Sequence, residues 1–152
     1  MRMSVESGVE AEVLGYDDEP YVMIDADGVV WENQRSYATY YNSSRYGTGA
    51  IPDEVDNSAE PAWERVGDGG AWAWHDHRAH WMSTEPPLGM EPGDSLPEAV
   101  IPLVVDGVRV AVTVVSTLVG GPSWWPALTG AVFALLLTFA AVLVGHHALA
   151  SL

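Results

Sequence analysis

No formally charged residue follows Arg109, and within that charge-free stretch residues 127–145 form one uninterrupted apolar run. Thr129 and Thr138 are its only polar members, and a threonine hydroxyl can return to a carbonyl of the preceding helical turn. Crossing the hydrocarbon core of a bilayer takes about 20 such residues in a helix, and this run meets that length. Trp124-Trp125-Pro126 forms its entrance. Two indoles suit the headgroup layer, and proline is tolerated in a first helical turn. His146-His147 supplies a polar exit. A small domain can seldom surround a helix that is apolar on every face. The expectation is therefore a juxtamembrane segment at 122–126, a transmembrane helix over 127–145 and a short tail at 146–152, with the lipid bilayer as partner.

Neither flank of the run carries Lys or Arg, so the positive-inside rule has nothing to count. Residues 1–8 lack the apolar core of a secretory signal. Taken alone, that describes a tail-anchored protein with a cytoplasmic domain. A start further upstream would allow the domain to face outward instead.

The remaining residues, 1–121, are expected to form one soluble domain. The whole chain has 21 acidic residues against 6 basic ones, all arginines, for a formal charge of −15. That balance excludes nucleic acid as a partner, because phosphate binding is driven by clustered Lys and Arg. Hydrophobic content of 48% excludes disorder. The absence of cysteine removes disulfides, thiolate catalysis and Cys-ligated zinc.

Short β-branched and aromatic runs between turn residues mark strands at 9–16, 21–24, 29–32, 71–77, 99–105 and 108–118. Asp25-Ala-Asp-Gly28 and Asp106-Gly107 read as hairpin turns. Residues 33–62, with Tyr37, Tyr40, Tyr41 and Tyr46, read as a long ordered loop rather than a helix. The prolines at 86, 87, 92 and 97 exclude regular structure between 83 and 97. No helix is expected outside the membrane. The sum is a mainly β fold, a small β-sandwich or open barrel with long loops, plus one C-terminal transmembrane helix.

One constellation carries chemistry. His75-Asp76-His77-Arg78-Ala79-His80-Trp81-Met82 holds three of the five histidines. On a strand over 71–77, His75 and His77 would share one face, with Trp72, Trp74 and Asp76 on the other. With His80 returning over the turn and the Met82 thioether near, the set is a candidate ligand group for copper or zinc, with Asp76 as an outer acceptor and Met90 as a further candidate ligand. The structural alternative is the one the sequence favours: histidines among Trp72, Trp74 and Trp81 anchor a loop, Arg78 pairs with Asp76, and Met82 fills core. No cofactor is then required. Asp53, Glu54 and Asp56 lack the spacing of a calcium loop, and Asn42-Ser43-Ser44 is a glycosylation sequon by pattern alone. No serine sits in a G-x-S-x-G or S-x-x-K pattern, so no catalytic residue is assigned and the chain is not expected to be an enzyme.

Three segments, EVLGYDDEPY at 12–21, NQRSYATYYN at 33–42 followed by RYG at 45–47, and WHDHRAHWM at 74–82, occur in an order that resembles a family of uncharacterised single-pass membrane proteins from actinobacterial-type, high-GC genomes. Its motifs are similar to GYDxEPY, NxRSxATYxN and WHDHRxHWM, followed by a valine-rich hairpin and a C-terminal membrane helix, and the likeness covers residues 9–145. Tyr37 stands where that family often has proline. In the family a signal peptide and further strands precede the first motif. The resemblance thus implies an extracytoplasmic domain on a single-pass anchor in the cell membrane, and it implies no particular activity. The resulting expectation is an envelope accessory or binding module, with other membrane or envelope proteins as partners. A copper- or zinc-binding envelope protein using the histidine cluster is the alternative.

Overall fold

The computed structural model describes residues 1–85 and 87–150, the last eight of them by backbone alone. It separates into two units, Met1–Leu118 and Val119–Leu152.

In the first unit, Asp106 and Gly107 have φ of 46° and 77°, the left-handed pair that a type I′ hairpin demands. They join β7 (Ala99–Val105) to β8 (Val108–Val114) in unbroken register from Val105–Val108 to Ala99–Val114. The turn over 25–28 likewise joins β3 (Pro20–Ile24) to β4 (Val30–Asn33). With β2 (Ala11–Leu14) and β5 (Trp63–Gly67), these strands form an antiparallel sheet in the order β5-β4-β3-β2-β7-β8. A two-stranded ribbon pairs β1 (Arg2–Ser4) with β6 (Ala71–Ala73).

Period-two patterning places the core. Val13 registers with Val22 on one side and Leu103 on the other, and together with Ile24, Val30 and Ile101 they are almost wholly removed from water. Met3, Val5, Trp72 and Trp74 pack from the ribbon side onto this face. Gly67 runs so close to the Trp72 ring that a Cβ there would lie 3.1 Å from it. The fold is thus mainly β, built from two sheets with long loops, as expected.

Several boundaries differ from the sequence reading. The strand anticipated over 71–77 stops at Ala73, that over 108–118 stops at Val114, and that over 9–16 contracts to Ala11–Leu14. Strands β1 and β5 were not anticipated; each is short, polar on one side and formed through pairing rather than through its own composition. The loop over 33–62 contains a short helix, α1 (Tyr37–Tyr41), whose N-cap Ser36 accepts a hydrogen bond from the Ala38 N–H. That cap outweighs the weak helix propensity of Tyr and Thr.

The second unit contains helix α2 (Trp125–Ala150), of which Trp125–Val142 is apolar and long enough to cross a membrane, with a mean hydropathy of 1.9. Thr129 donates to the Trp125 carbonyl and Thr138 to the Ala134 carbonyl, so neither hydroxyl is left bare on the apolar surface. The helix starts at Trp125 and its backbone continues past Gly145 to Ala150. His146-His147 therefore does not end it. The last two tail residues, 151–152, lie outside the described residues.

Candidate metal centre at the histidine cluster

Where β6 ends, Asp76 takes over. Its carboxylate caps a single 3-10 turn, His77–Ala79, by accepting from the Arg78 N–H, a local bond that competes with continuing the strand. The same carboxylate accepts from Arg78 Nε and Nη2 at 2.9 and 2.8 Å and from the Trp74 indole at 3.2 Å. Arg78 spends its other donors on the carbonyls of Leu14 and Gly15, where β2 has ended, and its guanidinium lies 4.8 Å from the centre of the Tyr16 ring. Burial pushes the Asp76 carboxyl up, but the hydrogen bonds and charge of Arg78 outweigh it and hold the pKa below the usual value. The Arg78 pKa is raised in turn, with the Asp76 bonds overcoming its own desolvation. Both partners stay charged, and the loop is pinned to the end of β2.

This pin brings the three imidazoles together. One ring nitrogen from each of His75, His77 and His80 lies within 4.8 Å of the others, and the ring centres are 4.6–5.7 Å apart. The convergence comes from the 3-10 turn and replaces the strand alternation anticipated for His75 and His77. His75 Nε2 and His80 Nε2 are 2.6 Å apart, so at least one of them presents a lone pair to the other. His80 Nδ1 sits 2.8 Å from the Trp81 carbonyl, and His77 Nε2 sits 2.8 Å from the Ser44 carbonyl. A neutral ring that donates there keeps its lone pair on His80 Nε2 and on His77 Nδ1. His77 Nδ1 is buried and has no partner. A backbone carbonyl that sets the tautomer of an imidazole is what metal-ligating histidines ordinarily have behind them. Burial, followed by the neighbouring His80 and His77, lowers the His75 pKa and favours its neutral, ligating form.

Helix α1 and the segment after it close one side. The Tyr41 ring meets His77 edge-on at 4.6 Å and stacks on Tyr37 at 5.0 Å. Tyr16 donates to Asn42 Oδ1 at 2.6 Å, and the same oxygen accepts from the His77 N–H. Burial pushes the Tyr16 phenol up to about 12, so it remains a neutral donor. Asn42 is itself buried, which removes the Asn42-Ser43-Ser44 sequon as an accessible acceptor. Asp56 accepts from the N–H and hydroxyl of Ser58 in a local exposed turn.

Met82 is half-buried two residues beyond His80, and among the described residues no hydrogen bond involves its sulfur. Met90 is half-buried within the proline loop. Sequence reasoning missed Ser44, Tyr41 and Asn42, which come from the segment 33–62. Nothing in their local pattern points to residues more than thirty positions away; only the fold joins them. No known protein family, curated protein or solved structure matches the chain.

Proposed function

We propose that this protein is a single-pass membrane protein whose β-domain binds a transition metal through His75, His77 and His80, as an accessory or binding module of the cell envelope rather than as an enzyme. One observation carries the metal reading: one ring nitrogen from each of the three histidines lies within 4.8 Å of the others; beside it, His77 Nδ1 is buried without a hydrogen-bond partner. An unpaired buried acceptor costs stability, and a coordinated ion removes that cost.

Three neutral imidazoles suit Zn(II) or Cu(II), and a three-histidine set leaves a further coordination position open. Met82 is the ligand to recruit if the ion is Cu(I), which favours thioether. Loop anchoring rests chiefly on Asp76 and Arg78. The hydrogen bonds of His75 and His80 run to each other and to the adjacent Trp81 carbonyl, so neither ties the loop to the sheet, which supports ligation over a purely structural cluster. Lipid is the partner of α2, and the extracytoplasmic side follows from the family resemblance alone. The test is elemental analysis of protein purified without a histidine tag after loading with zinc or copper and desalting. Near-stoichiometric metal is expected; metal at background level sinks the reading and returns the cluster to a structural role.

A further inference from the structure

Strand β8 is the outer edge of the large sheet. The two-residue hairpin makes Val105–Val108 the first hydrogen-bonded pair, and antiparallel pairs then alternate. The backbone groups of Val108, Val110, Val112 and Val114 therefore turn towards β7. Those of Arg109, Ala111 and Thr113 turn away from the sheet, where no strand receives them among the described residues. Val110 registers with Leu103 and Val112 with Ile101, so the valines of β8 lie on the core face. Yet Val108, Val110 and Val112 are 40–63% exposed: the apolar face runs past the core that covers β7. Edges of this kind are normally blunted by charged side chains, proline or a bulge; β8 has no lysine, proline or bulge, and its one charge, Arg109, is paired with Asp18.

We propose that β8 is the docking edge for a second copy of this chain, paired antiparallel about a two-fold axis through Ala111. Two observations select that occupant. The strand reads Val-Arg-Val-Ala-Val-Thr-Val, with its valines in the same places from either end. About Ala111, Val108 meets Val114, Val110 meets Val112, and Arg109 meets Thr113 rather than a second Arg109, so no like charges stand opposite. The outward groups of Arg109, Ala111 and Thr113 become one another's partners, and the sheet continues across both copies. Charge is the second observation. A chain of net charge −15 repels its own copies over most of its surface, but no acidic side chain follows Asp106, and Arg109 is paired with Asp18 of its own chain. Arg109 is the one charged residue of β8 and Asp18 offsets it, so a like-charged copy meets no net charge on the strand itself. An isologous contact closes on itself and gives a dimer. The inference is independent of metal binding.

The chain has no cysteine, so a single introduced thiol reports the contact. In the full chain reconstituted in vesicles of neutral lipid, Ala111→Cys is expected to cross-link efficiently through a short bifunctional maleimide. Leu88→Cys, fully exposed in the proline loop, is expected to give only background. Ala111→Pro removes an outward N–H without removing a ladder bond to β7, and Ala111→Lys sets two cations face to face. Each is expected to weaken dimerisation about tenfold while circular dichroism shows a folded domain. Added salt strengthens the pairing of two like-charged copies. Equal cross-linking at Leu88→Cys and Ala111→Cys overturns the proposal. So does a dimer that survives both Ala111→Pro and Ala111→Lys, which would place the association in α2, or one that salt dissolves, which would point to an oppositely charged partner.

Discussion

His77 is the residue whose two ring nitrogens have the most unequal surroundings: Nε2 is held by the Ser44 carbonyl, and Nδ1 is buried and bare. His77→Ala or His75→Ala is therefore expected to abolish stoichiometric metal binding, measured by elemental analysis and calorimetric titration, while the domain still folds. Imidazole ligates only when neutral, so affinity should fall between about pH 7 and pH 5 as the histidines protonate. The lowered His75 pKa shifts the loss towards the acid end of that window. Asp76 and Arg78 behave differently. Arg78→Ala strands a buried carboxylate and two carbonyls, and should cost about 3–5 kcal/mol in chemical denaturation. The Asp76 pKa is depressed in the folded state, so its contribution is complete above its ordinary value of about 3.9 and is lost as pH falls through the lower folded value. Melting curves of the wild type and Asp76→Asn should differ most near neutral pH and converge on acidification. A constant gap down to strong acid is the contrary result.

Among the elements, α1 shows how little local support a site-forming segment can have. Its one turn begins at Ser36, whose hydroxyl accepts from the Ala38 N–H while donating to the buried Glu19 carboxylate at 2.7 Å. Gly15 permits that approach, because a Cβ there would collide with the Glu19 carboxylate. Ser36→Ala removes the cap and one partner of Glu19 together, and is expected to destabilise the domain by about 1–3 kcal/mol. Tyr41 and Ser44 follow directly on this turn, so the same substitution should also weaken metal affinity. Calorimetric titration of a variant that remains folded checks this; unchanged affinity would separate α1 from the site.

For the whole molecule, the decisive element is α2, whose described side chains are exposed and, Thr129 and Thr138 apart, apolar, with Leu135, Leu136 and Phe139 each more than 60% accessible. Leaving such a surface in water is unfavourable at about 25 cal/mol per Å², and lipid removes that cost. Alkaline carbonate extraction should leave the protein in the membrane pellet, and release to the supernatant counts against an anchor. Protease added to intact spheroplasts should digest the β-domain if it faces outward, and complete protection would place it in the cytoplasm.

The features legible in sequence were those set by local chemistry. Asp106-Gly107 demands its hairpin because both residues tolerate a left-handed backbone, and period-two valines follow from burial on one face of a sheet. The apolar run over 127–145 calls for a helix, since an apolar segment that crosses a bilayer must satisfy its backbone internally. The histidine cluster was visible as composition, but its geometry was not. A strand over 71–77 was the local expectation, and Asp76 ended it by bonding Arg78, which in turn reached the carbonyls of Leu14 and Gly15 more than sixty residues away. Ser44 and Asn42 joined His77 across more than thirty residues. β1 and β5 formed because a partner strand offered hydrogen bonds. Such contacts depend on which distant backbone groups remain unsatisfied once the sheet has assembled, and only the tertiary structure decides that.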